Sequence, residues 1–447
     1  MILKSDIWNL PEDKGSILPA LRLSKHYLPS HLKHCFAYCS ILPKDYEFKK
    51  EELVLLWMAQ DFLWQSKGNG RMEKIGEQYF DDLVSRSLFQ QSSTNESHFI
   101  MHDLVNDLAT FISGEFCFRL EEDNELNEIT EKTRHFSCYE GGFDDFKKFE
   151  ILYVAKGFRT FLGKLERSWQ KYNNIEKMIC DLLKEFKTLR VLTLSSSRIT
   201  ELPNFVDDLK QLCYLNISDT NIKALPDSLC NLYNLQTLIL LRYITKLPAN
   251  TSKLINLRDL DNSKARMKEM PPQMGKMKNL RKLYAFGVGK RDDGSTIKEL
   301  RELQHLSGKL SLLNLENVQC INKDTTEIIL KNKQDLSELE LEWKHGHGTK
   351  NSKKERILLK QLCPCTHLNS LTITNYESTS FPKWLGDSSF SKMVSIELCN
   401  CDYCFSLPPL GSYLTSRAFE LKVLVKHQVW ALSSMGLQLS RLEPLNV

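Results

Sequence analysis

Met101-His102-Asp103-Leu104 is the stretch of this chain best suited to chemistry. Helix-spaced apolar residues follow it, so a helix is expected over Asp103–Ser113, with Asp103 as its N-cap and Gly114 at its end. The first turn of a helix offers N–H groups without intrahelical partners and the positive end of the helix dipole, where a phosphate is favoured. His102, one residue earlier, can donate to a phosphate oxygen from a ring nitrogen. Taken alone, the tripeptide reads just as well as a hairpin end and a helix cap.

Two sulfur-rich stretches raise the question of a metal: Cys363-x-Cys365-x-His367 and Cys399-x-Cys401-x-x-Cys404. Their spacings miss the usual paired C-x-x-C pattern, and strand alternation puts Cys399 and Cys401 on one face with Cys404 in the next turn. Core packing is the expected role, and no metal is assigned. His26, His31 and His34 sit at helical positions where packed or solvated roles are the default. No serine elbow, His-Glu-x-x-His or G-x-x-x-x-G-K-[ST] loop occurs, so no catalytic residue is named and an enzyme is not expected.

The elements that must carry the His-Asp pair are short helices and a hairpin. Residues 18–41 show helix-spaced apolar positions broken at Pro29, which predicts two helices. Lys49–Leu63 and Arg71–Leu88 each gather apolar residues on one face. Leu88-Phe89 and Phe99-Ile100-Met101 flank a polar tip at residues 92–97 and predict a β-hairpin. Helices followed by a hairpin describe a winged helix, placed over residues 1–116. Residues 117–186 form a connector, acidic over Glu121–Glu131, and a cap starting near Arg134-His135-Phe136-Ser137.

A repeat follows. Leu189-x-x-Leu192-x-Leu194 recurs as Leu212-x-x-Leu215-x-Ile217, Leu235-x-x-Leu238-x-Leu240 and Leu257-x-x-Leu260. Each copy runs on to a proline, at Pro203, Pro226, Pro248 and Pro271, 23, 22 and 23 residues apart. That period is the leucine-rich repeat's. One strand and one return segment cannot bury their own apolar face, so coils stack into a curved solenoid. Degenerate copies start at Leu280, Leu310, Leu336, Leu368 and Met393, giving a repeat domain over 187–411, with 412–447 left unassigned. The expected fold class is α+β: a helical winged-helix domain followed by a curved leucine-rich-repeat solenoid, itself α/β.

The chain has 447 residues, 42% hydrophobic and 26% charged, with a formal charge of +4. Residues 1–115 hold 12 Lys and Arg against 16 Asp and Glu, a net −4, which argues against a DNA-binding winged helix. No nucleic-acid partner is expected. No apolar run approaches the roughly 18 residues of a membrane span, and MILKSDIWNL lacks the features of a secretion signal. Thirteen cysteines, most of them in apolar periodic segments, suit a reducing cytoplasmic setting.

Three motifs in order, the stretch from Cys35 through Phe36-Ala37-Tyr38-Cys39 to Tyr46, then Leu56-Trp57-Met58-Ala59, then Met101-His102-Asp103-Leu104, resemble plant coiled-coil nucleotide-binding leucine-rich-repeat disease resistance proteins. The resemblance covers residues 1 to about 410. It implies that the winged helix ends an NB-ARC module, that His102 contacts the β-phosphate of ADP with Asp103 orienting it, and that exchange for ATP opens the protein. It implies a pathogen effector or a modified host protein as the partner of the repeats. The phosphate-binding loop of the family is missing, so ADP and ATP belong to the intact module and this chain alone is expected to bind neither. Two other readings compete: a leucine-rich-repeat adaptor such as a ubiquitin-ligase substrate receptor, and a winged-helix DNA-binding protein.

The leucines of each repeat point inward, which leaves the intervening side chains on a concave strand face. Those assigned to partner binding are Tyr214, Asn216, Asp259, Asp261, Lys282 and Tyr284, with Glu338, Glu340 and Glu342 as an acidic rung. The winged helix is expected to dock on the first coils, with Trp8, Ile41 and Phe48 as candidate contacts.

Overall fold

The computed structural model describes residues 27–442 apart from 65–70, 121–128, 140–151, 165–174, 196–198, 266, 291–294, 319–327, 346–351, 405–409, 411–418, 426–427 and 434–435. The helix expected from residue 18, Trp8, His26 and most of the acidic connector fall outside the described residues. The chain divides into two compact units: residues 1–222 with 234–238, and residues 223–233 with 239–447.

The first unit opens with three helices, α1 (Ser30–Tyr38), α2 (Lys50–Ala59) and α3 (Met72–Ser85). A hairpin of β1 (Gln90–Gln91) and β2 (Phe99–Ile100) follows, and a bridge from Phe48 to Phe99 widens it. Leu32, Phe36, Trp57, Phe80 and Phe89 make its core, with Phe80 edge-on to Phe99 at 4.8 Å. Buried Trp57 donates its indole N–H to the Cys35 carbonyl at 3.1 Å, so no polar atom of that side chain is stranded in the core. Gly76 lets α3 cross α2 closely; any Cβ there would strike Val54.

Helix α4 (Asp103–Ser113) ends at Gly114, whose φ of 53° lies in the left-handed region that glycine tolerates. The chain turns directly into a parallel ladder: β3 (Cys117–Leu120), β4 (His135–Tyr139), β5 (Thr160–Lys164), β6 (Val191–Thr193) and β7 (Tyr214–Asn216). Helix α5 (Ile175–Glu185) precedes β6. The winged helix is thus continuous with the ladder, and a single 3-10 turn, Gly114–Phe116, separates α4 from it.

Each regular coil is a three-residue strand and a 3-10 return, as at Asn204–Asp208 and Asp227–Asn231. Pro203 and Pro226, directly ahead of these two returns, hold φ near −65°, which starts the turn. Leu189, Leu192, Leu212, Leu215 and Leu235 are fully buried, as the repeat phase requires. Strand β8 (Thr237–Ile239) comes next in the chain, and the second unit holds β9 (Asp259–Asp261) and β10 (Lys282–Leu283), a parallel pair. Then come β11 (Ala285–Gly287), β12 (Gly308–Leu313), β13 (Leu336–Glu342), β14 (Ser370–Thr374), β15 (Ser395–Cys399) and β16 (Glu420–Val425), all parallel. Helix α6 (Ser352–Gln361) lies between β13 and β14. Strands β17 (Gln428–Ser433) and β18 (Gly436–Leu442) add antiparallel pairs, so the ladder runs on past Leu410.

Candidate functional site

His102 caps α4. Its backbone is extended, with φ −60° and ψ 148°, and its Nδ1 accepts the Leu104 N–H at 3.4 Å. Its carbonyl takes the first helical bonds, from Val105 N–H at 2.8 Å and Asn106 N–H at 2.9 Å. Asp103 is therefore the first helical residue and not the cap expected from the sequence. The correction follows from where the backbone turns helical: the side chain one residue before that point lies over the free N–H groups. Asp103 instead puts its charge in the first turn, against the positive end of the dipole. Both side chains are exposed. With Nδ1 accepting, a neutral imidazole carries its proton on Nε2, which is left to donate to a ligand.

The other side of α4 is anchored. Buried Asn106 donates from Nδ2 to the Leu42 carbonyl at 3.1 Å. Arg119 on β3 donates from Nη1 to the Ser40 carbonyl at 2.8 Å, the Leu42 carbonyl at 2.7 Å and Asn106 Oδ1 at 3.1 Å. Asp107 pairs with Lys44 at 2.8 Å. One guanidinium thus ties the helix carrying the His-Asp pair, the turn after α1 and the first strand of the ladder.

The winged helix, expected from the sequence to dock on the first coils, packs mainly on β4 and β5 of the cap and reaches the first coil through Arg190. Thr160 on β5 is the hub of this contact: Oγ1 accepts from Gln60 Nε2 at 2.7 Å and hydrogen-bonds Tyr38 Oη at 3.2 Å and His135 Nδ1 at 3.0 Å. All four residues are buried. Burial, with the nearby Arg159 and Arg134 charges, holds His135 down to about 3, so it stays neutral. Ser137 donates to the Ile41 carbonyl at 2.5 Å, and Arg190 pairs with Asp61. Of the candidate contacts, Ile41 takes part through that carbonyl. Phe48 lines a cavity of about 40 Å³ together with Tyr46, Glu52, Tyr139, Tyr214 and Asn216.

That docking corrects part of the expected partner surface. Tyr214 is 1% exposed and Asn216 9%, because the winged helix covers the strand face there. Asp259 is 6% exposed, in register with Lys282 on the adjacent strand, and is likewise closed to a partner. Asp261, Lys282, Tyr284, Glu340 and Glu342 are half-buried and Glu338 is exposed. Among the described residues no three His, Cys, Asp or Glu side chains converge on a metal position. Cys365 and Cys401 are buried, with Sγ directed at the carbonyls of Leu336 and Ile373. No described helix is long and apolar enough to cross a membrane.

Residues 41–109 match the disease resistance protein winged-helix domain, and residues 297–425 match the R13L1/DRL21 leucine-rich repeats. A putative disease resistance protein of Arabidopsis thaliana is 42% identical over 428 residues, which cover 92% of this chain and 30% of that protein. The putative disease resistance RPP13-like protein 1 of the same plant is 40% identical, over 92% of this chain and 39% of that protein. Disease resistance protein RGA2 of Solanum bulbocastanum is 36% identical, over 93% and 40%. Over most of its length the chain is similar to plant disease resistance proteins. It spans 30 to 40% of the length of these relatives. Neither matched region is an enzyme domain.

Sequence reasoning missed two features of this chain. The Thr160 hub joins residues 100 and 122 positions apart, and nothing local marks it. The second feature had a signal. Asn234, Asn256 and Asn279 each stand just before the first leucine of a repeat and donate to the carbonyls of Lys210, Tyr233 and Ile255 at 2.7, 2.7 and 2.9 Å. They stitch each coil to the one before.

Proposed function

We propose that this chain is the sensing and recognition part of a plant immune receptor. Its repeats recognise a pathogen effector or a modified host protein, and its winged helix reports whether an NB-ARC switch holds ADP or ATP. The observation that carries this reading is the two-sided placement of α4. Exposed His102 and Asp103 stand at its start, while Asn106 on its inner side is tied through Arg119 to the ladder. A change of nucleotide at that end would be felt mechanically at the first coils.

The residues present fit one contact to a terminal phosphate and not a whole nucleotide site. His102 Nε2 and the dipole of α4 suit one phosphate oxygen. A charge-assisted hydrogen bond contributes about 1.5–3 kcal/mol, whereas micromolar binding needs about 8 kcal/mol. ADP or ATP would therefore be held mainly by residues of an intact NB-ARC module. A DNA-reading role gains no support from α3, which carries Glu73, Glu77, Asp81 and Asp82 against Lys74.

Calorimetry tests the reading. The chain alone should show no ADP or ATP binding, and fusion to the nucleotide-binding module of a relative should restore it. Replacing His102 by Ala in the fusion should then speed ADP release. Submicromolar ADP binding by the chain alone, or unchanged release from the fused His102→Ala protein, would overturn it.

A further inference from the structure

With the first coils covered by the winged helix, the open strand face of the second unit gains in interest. Three glutamates stand at alternate positions of β13: Glu338, Glu340 and Glu342. Residues two apart on a strand are about 6.7 Å apart and on one face. The register places Ser370, Thr372 and Thr374 of β14 beside them, and on β15 Glu397 lies opposite Thr372. Short hydroxyl side chains on β14 thus form the floor of a recess one strand wide. Its walls, β13 and β15, stand about 9.6 Å apart by strand spacing.

Carboxylates outnumber cations on this face, where Lys309 stands in register with Glu338 and Lys422 with Glu397. Lys309 pairs with Glu340 at 3.6 Å and Lys422 with Glu420 at 3.3 Å. No ion pair is made by Glu338, Glu342 or Glu397 among the described residues. Burial, and then the neighbouring Glu340 and Glu316 carboxylates, raise Glu342 above the usual glutamate range.

We propose that the recess between β13 and β15 docks an extended protein segment carrying Lys or Arg at alternate positions, laid along β13. An extended chain has the same period of two as the glutamates, so its basic side chains at i, i+2 and i+4 meet Glu338, Glu340 and Glu342 in turn. Glu397, across the hydroxyl floor, gives a long guanidinium a second carboxylate to bridge to. The inference rests on the reading of the repeats as a protein-recognition surface and names the chemistry of the partner.

The test uses the full chain and two labelled peptides of equal charge, Arg-Ser-Arg-Ser-Arg-Ser and Arg-Arg-Arg-Ser-Ser-Ser, followed by fluorescence anisotropy. The alternating peptide should bind at least tenfold tighter than its block isomer. Glu338→Gln, Glu340→Gln and Glu397→Gln together should erase that preference, whereas Glu73→Gln, Glu77→Gln and Asp82→Asn on α3 should leave it within twofold. Lys309→Gln, which releases Glu340 from its pair, should tighten binding. Affinity should rise as the pH is raised through and above the usual glutamate range, where Glu342 gives up its proton late, and Glu342→Gln should flatten that rise. Equal binding of the two peptides, or an equal loss in the α3 variant, would overturn the proposal. No nucleotide enters these measurements, so their failure leaves the immune-receptor reading to its own calorimetric test.

Discussion

Thr160→Val tests whether the winged helix is held to the ladder by the buried hub. Valine keeps the shape and removes only Oγ1. Gln60 Nε2 retains the Arg159 carbonyl at 3.3 Å, so its loss is partial. The Tyr38 hydroxyl and His135 Nδ1 lose the hub partner, and neither site is open to water. Stranding two buried polar groups costs about 1–3 kcal/mol each, so the contact should weaken by roughly 2–6 kcal/mol. That is a large share of the 5–15 kcal/mol typical of a domain. Thr160→Ser keeps the oxygen, loses one methyl and should cost no more than about 1.5 kcal/mol. Hydrogen exchange of the amides in α1, β4 and β5 reads the opening free energy of this contact without requiring the whole chain to unfold in one step. A change below about 1 kcal/mol in Thr160→Val, or equal changes in the Val and Ser variants, would refute the hub.

Other outcomes follow from the same geometry. His135 titrates far below the unfolded value of about 6.5, so the unfolded chain takes up the proton first; the contact is fully stable above about pH 6.5 and loses about 1.4 kcal/mol per unit as pH falls toward 3. His135→Gln should flatten that slope in exchange measurements at pH 6.5 and 5.0, and an unchanged slope would assign it to other groups. Lys333, 2% exposed, donates to the Leu300 and Leu303 carbonyls at 2.6 and 2.7 Å, so Lys333→Met should destabilise the second unit by about 1–3 kcal/mol, read as its calorimetric transition. In a protein fused to a nucleotide-binding module, Asp103→Val removes a first-turn charge and no cap. ADP release should therefore quicken by only two- to fivefold, the equivalent of about 0.3–1 kcal/mol.

Sequence alone determined whatever rests on local periodicity and turn chemistry. The helix over Asp103–Ser113 has the bounds its apolar spacing and Gly114 dictate, and the hairpin pairs Gln90–Gln91 with Phe99–Ile100 around the expected polar tip. The leucine period and its prolines located β6, β7, β8 and β9, because a three-residue strand with inward leucines has one way to bury them. Only the tertiary structure decided which side of each strand meets water. Tyr214 and Glu338 occupy equivalent places in their repeats, yet one is buried and the other exposed, because the winged helix covers the first and nothing described covers the second. The cap at His102 turned on a single backbone angle. The Thr160 hub needed Tyr38, Gln60 and His135 brought together across up to 122 residues. Periodicity reports which residues share a face of one element; it carries no record of which distant element will pack against that face, since that is set by the summed burial of the whole unit.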